Sequence, residues 1–472
     1  MVFSSPIFLF YFLPSLLLLY FCTPKSLQNL LLLAASLLFY AWGEGFYLLL
    51  MVLSIGINYV FGRLIESRSD KRILVIGVAL NLSILLAYKY ANFIVSNSNL
   101  VFEFLGLPQL ILDPVHLPLG ISFFTFQAIS YLVDIKRGEI NSQKNLINLG
   151  LYISMFPQLI AGPIVRYKTI NKEIDSRETT PELFVHGMER FILGLAKKML
   201  IANPLGAVVD SIFSLPIEAL PAHVVWFGVL LYALQIYYDF SGYSDMAIGL
   251  GRMLGFRFLE NFNYPYSAQS LQDFWRRWHI SLSTWFRDYL YIPLGGNRRS
   301  EMRTYFNLFI VFILCGLWHG ASWNFFAWGV FHGVFLALER AGLSTVVAAL
   351  PKLLRHLYLL IVVLVSWVLF RAETLTDALD YLTVMFGFKF FSVPFEFIDA
   401  INPEVMIALL FGLIFSFPGF YHPSNSVVNT SSTKTKLVLT SSLRYSFLFA
   451  LLLLSVMQLA ASTHNPFIYF RF

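Results

Sequence analysis

Apolar runs of membrane-spanning length recur from one end of the chain to the other, with no polar block between them long enough to build a water-soluble domain. Windows near 7–22, 27–43, 45–62, 73–90, 147–162, 222–238, 355–370, 404–420 and 443–461 approach the ~20 residues a helix needs to cross the hydrocarbon layer. Less regular stretches near 118–133, 184–203 and 305–338 have a similar character. Composition agrees, with 57% hydrophobic and 13% charged residues, where a soluble domain carries about 25% charged. The expected fold is an all-α polytopic integral membrane protein with roughly ten to twelve membrane segments.

The formal charge of +6 resides mostly in short connectors, where it reads as a topology signal and not as a nucleic-acid surface. The densest early basic loop, Arg63 to Arg72, is expected in the cytoplasm, which places the N-terminus outside after three crossings. The first apolar run has no basic n-region or small-residue cleavage site, so a retained anchor is expected. Cys22 and Cys315 both lie in apolar stretches and offer neither a disulfide framework nor a cysteine-built metal site. The polar stretch Pro423–Lys436 reads as a loop.

An ionisable residue inside a membrane protein is a functional hypothesis by default, because burying it unpartnered costs at least about 2.5 kcal/mol. The richest such segment is Leu271 to Leu290, with Asp273, Arg276, Arg277, His279, Arg287 and Asp288 among Trp275, Trp278 and Trp285. At helical spacing Trp275, His279 and Ser283 would share one face. The segment is either the wall of a pocket or an interfacial amphipathic helix with tryptophans at headgroup level. Gly295-Gly296-Asn297 then supplies a tight turn.

The apolar run Tyr305 to Trp318 is short for a crossing and is followed by Gly316-Leu317-Trp318-His319-Gly320-Ala321-Ser322-Trp323-Asn324 before a second apolar run to Leu338. The simplest geometry is a helix broken inside the protein with His319 at the break, tolerated only where protein shields it or a cavity adjoins it. Histidine suits proton transfer near neutral pH, although a lone histidine on an apolar face is more often a packed one. His332 is assigned to packing on that ground. His116, His186, His223, His356, His422 and His464 read as loop, interface or packing residues. The spacing of His279 and His319 is not that of a zinc site, so no metal is expected. Asp239 to Asp245 forms a third polar cluster, as consistent with structural ion pairs as with chemistry. No nucleophile elbow, phosphate-binding loop or dinucleotide fingerprint occurs, which leaves an intramembrane pocket with a proton-transfer histidine, in an enzyme or a transporter.

Several motifs nevertheless carry a resemblance. Met1 to Ser5, Pro118 to Gln127, Phe156 to Ile164, Asp239 to Asp245, Phe274 to Gly296, Leu317 to Gly320 and Pro466 to Phe470 occur in order along the chain. In these the sequence is similar to the membrane-bound O-acyltransferase (MBOAT) family, specifically its bacterial alginate O-acetylation branch. The resemblance implies a ring of tilted helices with re-entrant and broken segments around a central pocket, in a single transmembrane domain over 1–472. Within it, 1–110 would form N-terminal helices, 118–340 the catalytic core and 350–472 C-terminal helices. His319 matches the family's catalytic histidine and His279 the second histidine of this branch. Trp275, Trp278, Ser283, Arg287, Asp288 and Asn324 are candidate substrate-binding wall residues. The implied donor is a cytoplasmic thioester, acetyl-CoA, with no bound cofactor. The implied acceptor is alginate or a similar envelope polysaccharide, reached with help from a periplasmic SGNH-type acetyltransferase, in the bacterial inner membrane. D-alanyl transfer to teichoic acid from a carrier protein and a non-catalytic transporter or scaffold are the alternatives.

Overall fold

The computed structural model describes residues 1–387, 401–419 and 434–461. His422, His464, the Pro466 to Phe470 motif and all but the last three residues of the expected Pro423–Lys436 loop lie outside these, and those three open the final helix. Every regular element among the described residues is a helix. Eight stretches are long and apolar enough to cross a membrane: Lys25–Arg68, Lys71–Lys89, Pro181–Phe213, Ala222–Met253, Glu301–His319, Trp323–Ala349, Lys352–Arg371 and Ser441–Ala461. Shorter apolar helices run over Phe8–Cys22 and Pro403–Phe415. The chain is an all-α, multi-pass membrane protein.

Lys25–Arg68 is two helices, α2 (Lys25–Glu44) following α1 (Leu13–Cys22), and α3 (Leu48–Arg68), as the apolar windows predict. Gly45 takes φ +49° between them and folds the chain back. Asn29 near the start of α2 donates to Asn148 Oδ1 at 2.8 Å, and Tyr59 midway along α3 donates to Lys144 O at 3.0 Å. Both helices thus pack on the segment from Lys144 to Asn148. Next come α4 (Lys71–Lys89), capped by Asp70, α5 (Ala91–Phe104) and α6 (Ile121–Lys136), almost wholly buried. The window near 147–162 is not a crossing. It is α7 (Leu146–Ser154) and the one-turn α8 (Phe156–Leu159), interrupted at Met155 (φ −52°, ψ 111°), with Pro157 in the first turn of α8, and residues 149–165 are buried.

After α9 (Tyr167–Asp175), the most extensive helix packing joins α10 (Pro181–Ala196) to α12 (Ala222–Met253), with α11 (Asn203–Phe213) between them in sequence. Gly187 and Gly194 on α10 meet Gly249 and Gly242 on α12 so closely that a methyl at Gly194 would stand 2.5 Å from Gly242 O. Small residues let membrane helices approach backbone to backbone. The same interface holds the Asp239 to Asp245 cluster, which lies inside α12. Asp239 pairs with Lys198 at 2.7 Å, and Asp245 with Arg190 and Lys197, both at 2.7 Å.

The Leu271 to Leu290 segment is not one helix. It divides into α13 (Leu271–Arg277) and α14 (Ile280–Phe286), with Trp278 extended and His279 left-handed at φ +43°, ψ +54°. The loop from Asn261 to Asn263 drives the break: Ile280 N–H donates to Asn261 O and Asn263 N–H to Arg277 O, both at 2.9 Å. Trp275, His279 and Ser283 therefore do not share a helix face. The turn at Gly295 (φ +108°) and Gly296 (φ +55°) forms as read.

Then α15 (Glu301–His319) starts earlier than the apolar pattern indicates, because Ser300 caps it by accepting from Arg303 N–H and its first turn is charged. At nineteen residues it is about 28 Å long, a full crossing. It does stop at His319, and α16 (Trp323–Leu338) packs back along it. The remaining helices are α17 (Ser344–Ala349), α18 (Lys352–Arg371), α19 (Leu375–Phe386), α20 (Pro403–Phe415) and α21 (Lys434–Ala461).

Candidate active site

The two breaks, one between α13 and α14 and one between α15 and α16, bring their histidines to the same buried region. Gly320 is extended (φ −161°, ψ 150°), and a Cβ there would stand 2.2 Å from the Phe325 ring, so the chain is tightly held as it leaves α15. His319 and His279 are 4% and 0% exposed. Trp318 lies between them, its ring centroid 5.0 Å from His319 and 6.1 Å from His279. Trp328 and Phe370, each 5.2 Å away, enclose His319, and Phe240 packs edge-on against His279 at 4.6 Å.

Asn261 determines how His279 can act. Ser281 N–H donates to Asn261 Oδ1 at 3.2 Å, and the Asn261 amide nitrogen donates to Ser244 Oγ at 3.1 Å, which orients the amide. The Ser281 hydroxyl also donates to Oδ1, at 2.8 Å, while accepting from Ile164 N–H. A carbonyl oxygen only accepts, so His279 Nδ1, 3.1 Å from Oδ1, carries the proton. Nε2 is left as a lone-pair nitrogen, with no hydrogen-bond partner among the described residues.

His332, assigned to packing, is fully buried in the same aromatic cluster. Its Nδ1 accepts from Trp275 Nε1–H at 3.3 Å, not from a backbone donor, and its ring is 4.6 Å from Trp328, the neighbour of His319. Lys89 at the end of α4, 9% exposed, reaches the same place with Nζ 2.5 Å from Trp318 O and 3.2 Å from His319 O.

Of the other residues singled out in the sequence, Trp275 joins the cluster through His332. Trp278 stands one ring further out, packed on Phe274, Phe262 and Trp367. Ser283 donates to Trp278 O at 3.4 Å and stays within its own turn. Asn324 ties the start of α16 to the end of α18 through Ala372 O at 2.8 Å, and accepts from Ser322 Oγ. Arg287 and Asp288 lie on a charged rim, where Asp288 pairs with Arg287 at 2.7 Å and Arg166 at 2.6 Å. On that rim the cations of Arg137, Arg166 and Lys168 all lie within 5.7 Å of the Tyr289 ring centroid. Burial disfavours the Asp288 carboxylate, but the hydrogen bonds from Arg287 and Arg166 outweigh it and hold its pKa below the usual carboxylate value. Among the described residues no group of three His, Cys, Asp or Glu side chains could hold a metal ion.

Lys89, Asn261, Trp328 and His332 were not apparent as site residues. Lys89 ends an apolar window, where a lysine ordinarily reaches for the interface. Asn261 lies in a loop with no motif around it. His332, four residues after Trp328 in an apolar run, was the one with a signal in the spacing.

Helix breaks that gather imidazoles, indoles and an ammonium in an apolar interior define a multi-pass membrane protein with a buried polar centre. The sequence profile of the membrane-bound O-acyltransferase family, MBOAT, matches residues 119–376. The chain is 40% identical to the probable alginate O-acetylase AlgI of Pseudomonas aeruginosa, with 100% of both chains covered. It is 35% identical to the peptidoglycan O-acetyltransferase of Helicobacter pylori, covering 100% of this chain and 98% of that one. The teichoic acid D-alanyltransferase of Bacillus subtilis is 30% identical over 50% of this chain and 62% of its own. The protein belongs to the MBOAT family and is an acyltransferase.

Proposed function

We propose that this acyltransferase takes acetyl groups from acetyl-CoA at the cytoplasmic face of the bacterial inner membrane. It passes them to alginate or a similar envelope polysaccharide, with help from a periplasmic SGNH-type acetyltransferase. The observation that carries the reading is the break at His319–Gly320, which sets one imidazole in a buried aromatic cage beside a second whose tautomer is fixed. The acceptor class follows the full-length relatives, one named for alginate and one for peptidoglycan. The lower coverage of the D-alanyltransferase favours acetyl over D-alanyl transfer.

In this mechanism His319 removes the proton of an acceptor hydroxyl as the oxygen bonds to the thioester carbonyl carbon. The tetrahedral intermediate collapses with cleavage of the C–S bond, and the imidazolium returns the proton to the departing thiolate. His279 Nε2, a lone-pair acceptor, takes a hydrogen bond from a neighbouring hydroxyl of the acceptor and so orients the attacking one toward His319. The enclosing aromatic rings limit water, which would otherwise take the acyl group. Trp275 lines the centre, and the cations near Arg287 and Asp288 suit the phosphorylated end of the donor, with Trp278, Ser283 and Asn324 supporting the wall.

The test is release of free CoA from acetyl-CoA by purified protein in nanodiscs with alginate present, comparing wild type with His319→Ala. Loss of turnover in a folded His319→Ala protein is expected. Turnover unchanged by that substitution overturns the assignment, and a transporter or scaffold would release no CoA in either.

A further inference from the structure

A helix that ends at an extended residue leaves its last carbonyls without intrahelical donors. Those of α15 are met from the last residue of α4 and the one that follows it. Tyr90 Oη donates to Leu317 O at 2.6 Å, and Lys89 Nζ donates to Trp318 O at 2.5 Å and His319 O at 3.2 Å. The third ammonium proton goes to Ser122 Oγ at 3.2 Å. All three protons of Lys89 are used, and among the described residues no carboxylate lies within ion-pair distance. Neutral oxygens, the negative end of the α15 dipole and the Trp318 ring, 5.9 Å from Nζ, hold this cation.

A neutral hydroxyl suffices to cap a carbonyl, as Tyr90 does on the adjacent one, whereas a buried ammonium is expensive to desolvate. The bonds also fall on the backbone of His319 and of its neighbour Trp318. The two carbonyls lie on either side of the His319 Cα, and the Trp318 and His319 side chains face His279 and Trp328. From this geometry we infer that Lys89 is a positioning residue for His319. It fixes the end of α15 so that the imidazole stands at a set place between Trp318, Trp328 and Phe370 instead of fraying with the helix terminus. The inference rests on the proposed role of His319 and adds a residue that touches no substrate.

The experiment compares Lys89→Met, Lys89→Arg and Ser122→Ala with wild type, in nanodiscs under conditions where wild type releases CoA from acetyl-CoA. Lys89→Met is expected to lower kcat about a hundredfold, the scale of a misplacement near 1 Å, with KM for acetyl-CoA within about twofold of wild type. Lys89→Arg, which keeps charge and donors, recovers part of that loss. Ser122→Ala removes one acceptor and leaves the lysine, and lowers kcat about fivefold, the equivalent of one hydrogen bond. Wild-type kcat in Lys89→Met or Ser122→Ala overturns the inference, as does a loss in Lys89→Met expressed wholly in KM. Should Lys89→Met fail to fold, Ser122→Ala decides. His319→Ala in the same assay separates the two levels. If it is inactive while the Lys89 and Ser122 variants turn over normally, only the positioning role falls, and if it is fully active both readings fall.

Discussion

Asn261 Oδ1 stands 3.1 Å from His279 Nδ1 and receives two further donors from Ser281, so the asparagine selects which nitrogen of the histidine is basic. Removing it would free His279 to rotate or exchange tautomers and would leave the Ser281 N–H and hydroxyl without their acceptor. Asn261→Ala should therefore lower kcat for CoA release by about tenfold or more, from a loss of ~1–3 kcal/mol at a buried hydrogen-bonded group. Asn261→Asp retains an acceptor at Oδ1 and should recover part of the rate. Equal activities of the alanine variant and wild type would show that the His279 tautomer has no bearing on turnover.

The Trp275 Nε1–H to His332 Nδ1 bond, 3.3 Å long and buried, predicts coupling between those residues. Trp275→Phe and His332→Phe each remove the bond, so the double variant should lose less thermal stability than the sum of the singles. Partners in contact give interaction energies of about 0.5–3 kcal/mol. A double-mutant cycle on melting temperature in detergent measures it, and strict additivity would contradict the bond. The adjacency of His332 to Trp328 also makes His332→Ala an unsuitable inactive-site control, since a reduced rate is expected from it.

What was legible in the sequence follows the physical strength of each signal. Apolar runs gave α2, α3, α4, α12 and α18, because lipid leaves a spanning chain few options. The stop at His319 was legible because Gly316 and Gly320 lie beside it among polar residues, but it is the turn between two helices packed back on each other and not an interruption of one crossing. The break at His279 was not legible, since its cause is Asn261, an asparagine eighteen residues away whose backbone carbonyl takes Ile280 N–H. Lys89 was equally hidden, because the carbonyls it serves lie more than two hundred residues along the chain. Lys89 and Phe370 also show that the centre draws on residues outside 118–340. Periodicity reports which face is buried, and it carries no information about which distant backbone group a buried polar side chain meets.

Glycines divide sharply by what surrounds them. At Gly194 a methyl would lie 2.5 Å from Gly242 O and 2.7 Å from Met246 N, backbone atoms that cannot yield without separating α10 from α12. Gly194→Ala should cost about 1–3 kcal/mol, the range for overpacking. Gly56, inside α3, has nothing within 4 Å of the added methyl and ordinary backbone angles. Gly56→Ala should stabilise by about 0.5–1 kcal/mol through helix propensity. Melting temperatures in one detergent test both, and shifts of the same sign would be inconsistent with this packing.

The charged rim gives a prediction in pH. Asp288 is held ionised by Arg287 and Arg166 against the opposing effect of burial, so its folded pKa lies below its unfolded value. A depressed carboxylate contributes stability that is fully present above the unfolded pKa of about 3.9 and is lost as pH falls through the folded value. Asp288→Asn should therefore melt at a lower temperature than wild type near neutral pH. The gap between the two should narrow as pH is lowered below about 4, where the wild-type carboxyl is protonated in the unfolded chain and then in the folded one. A gap that stays constant from neutral to acid pH would mean that Asp288 acts through packing alone, and one that widens toward acid would reverse the sign of the linkage.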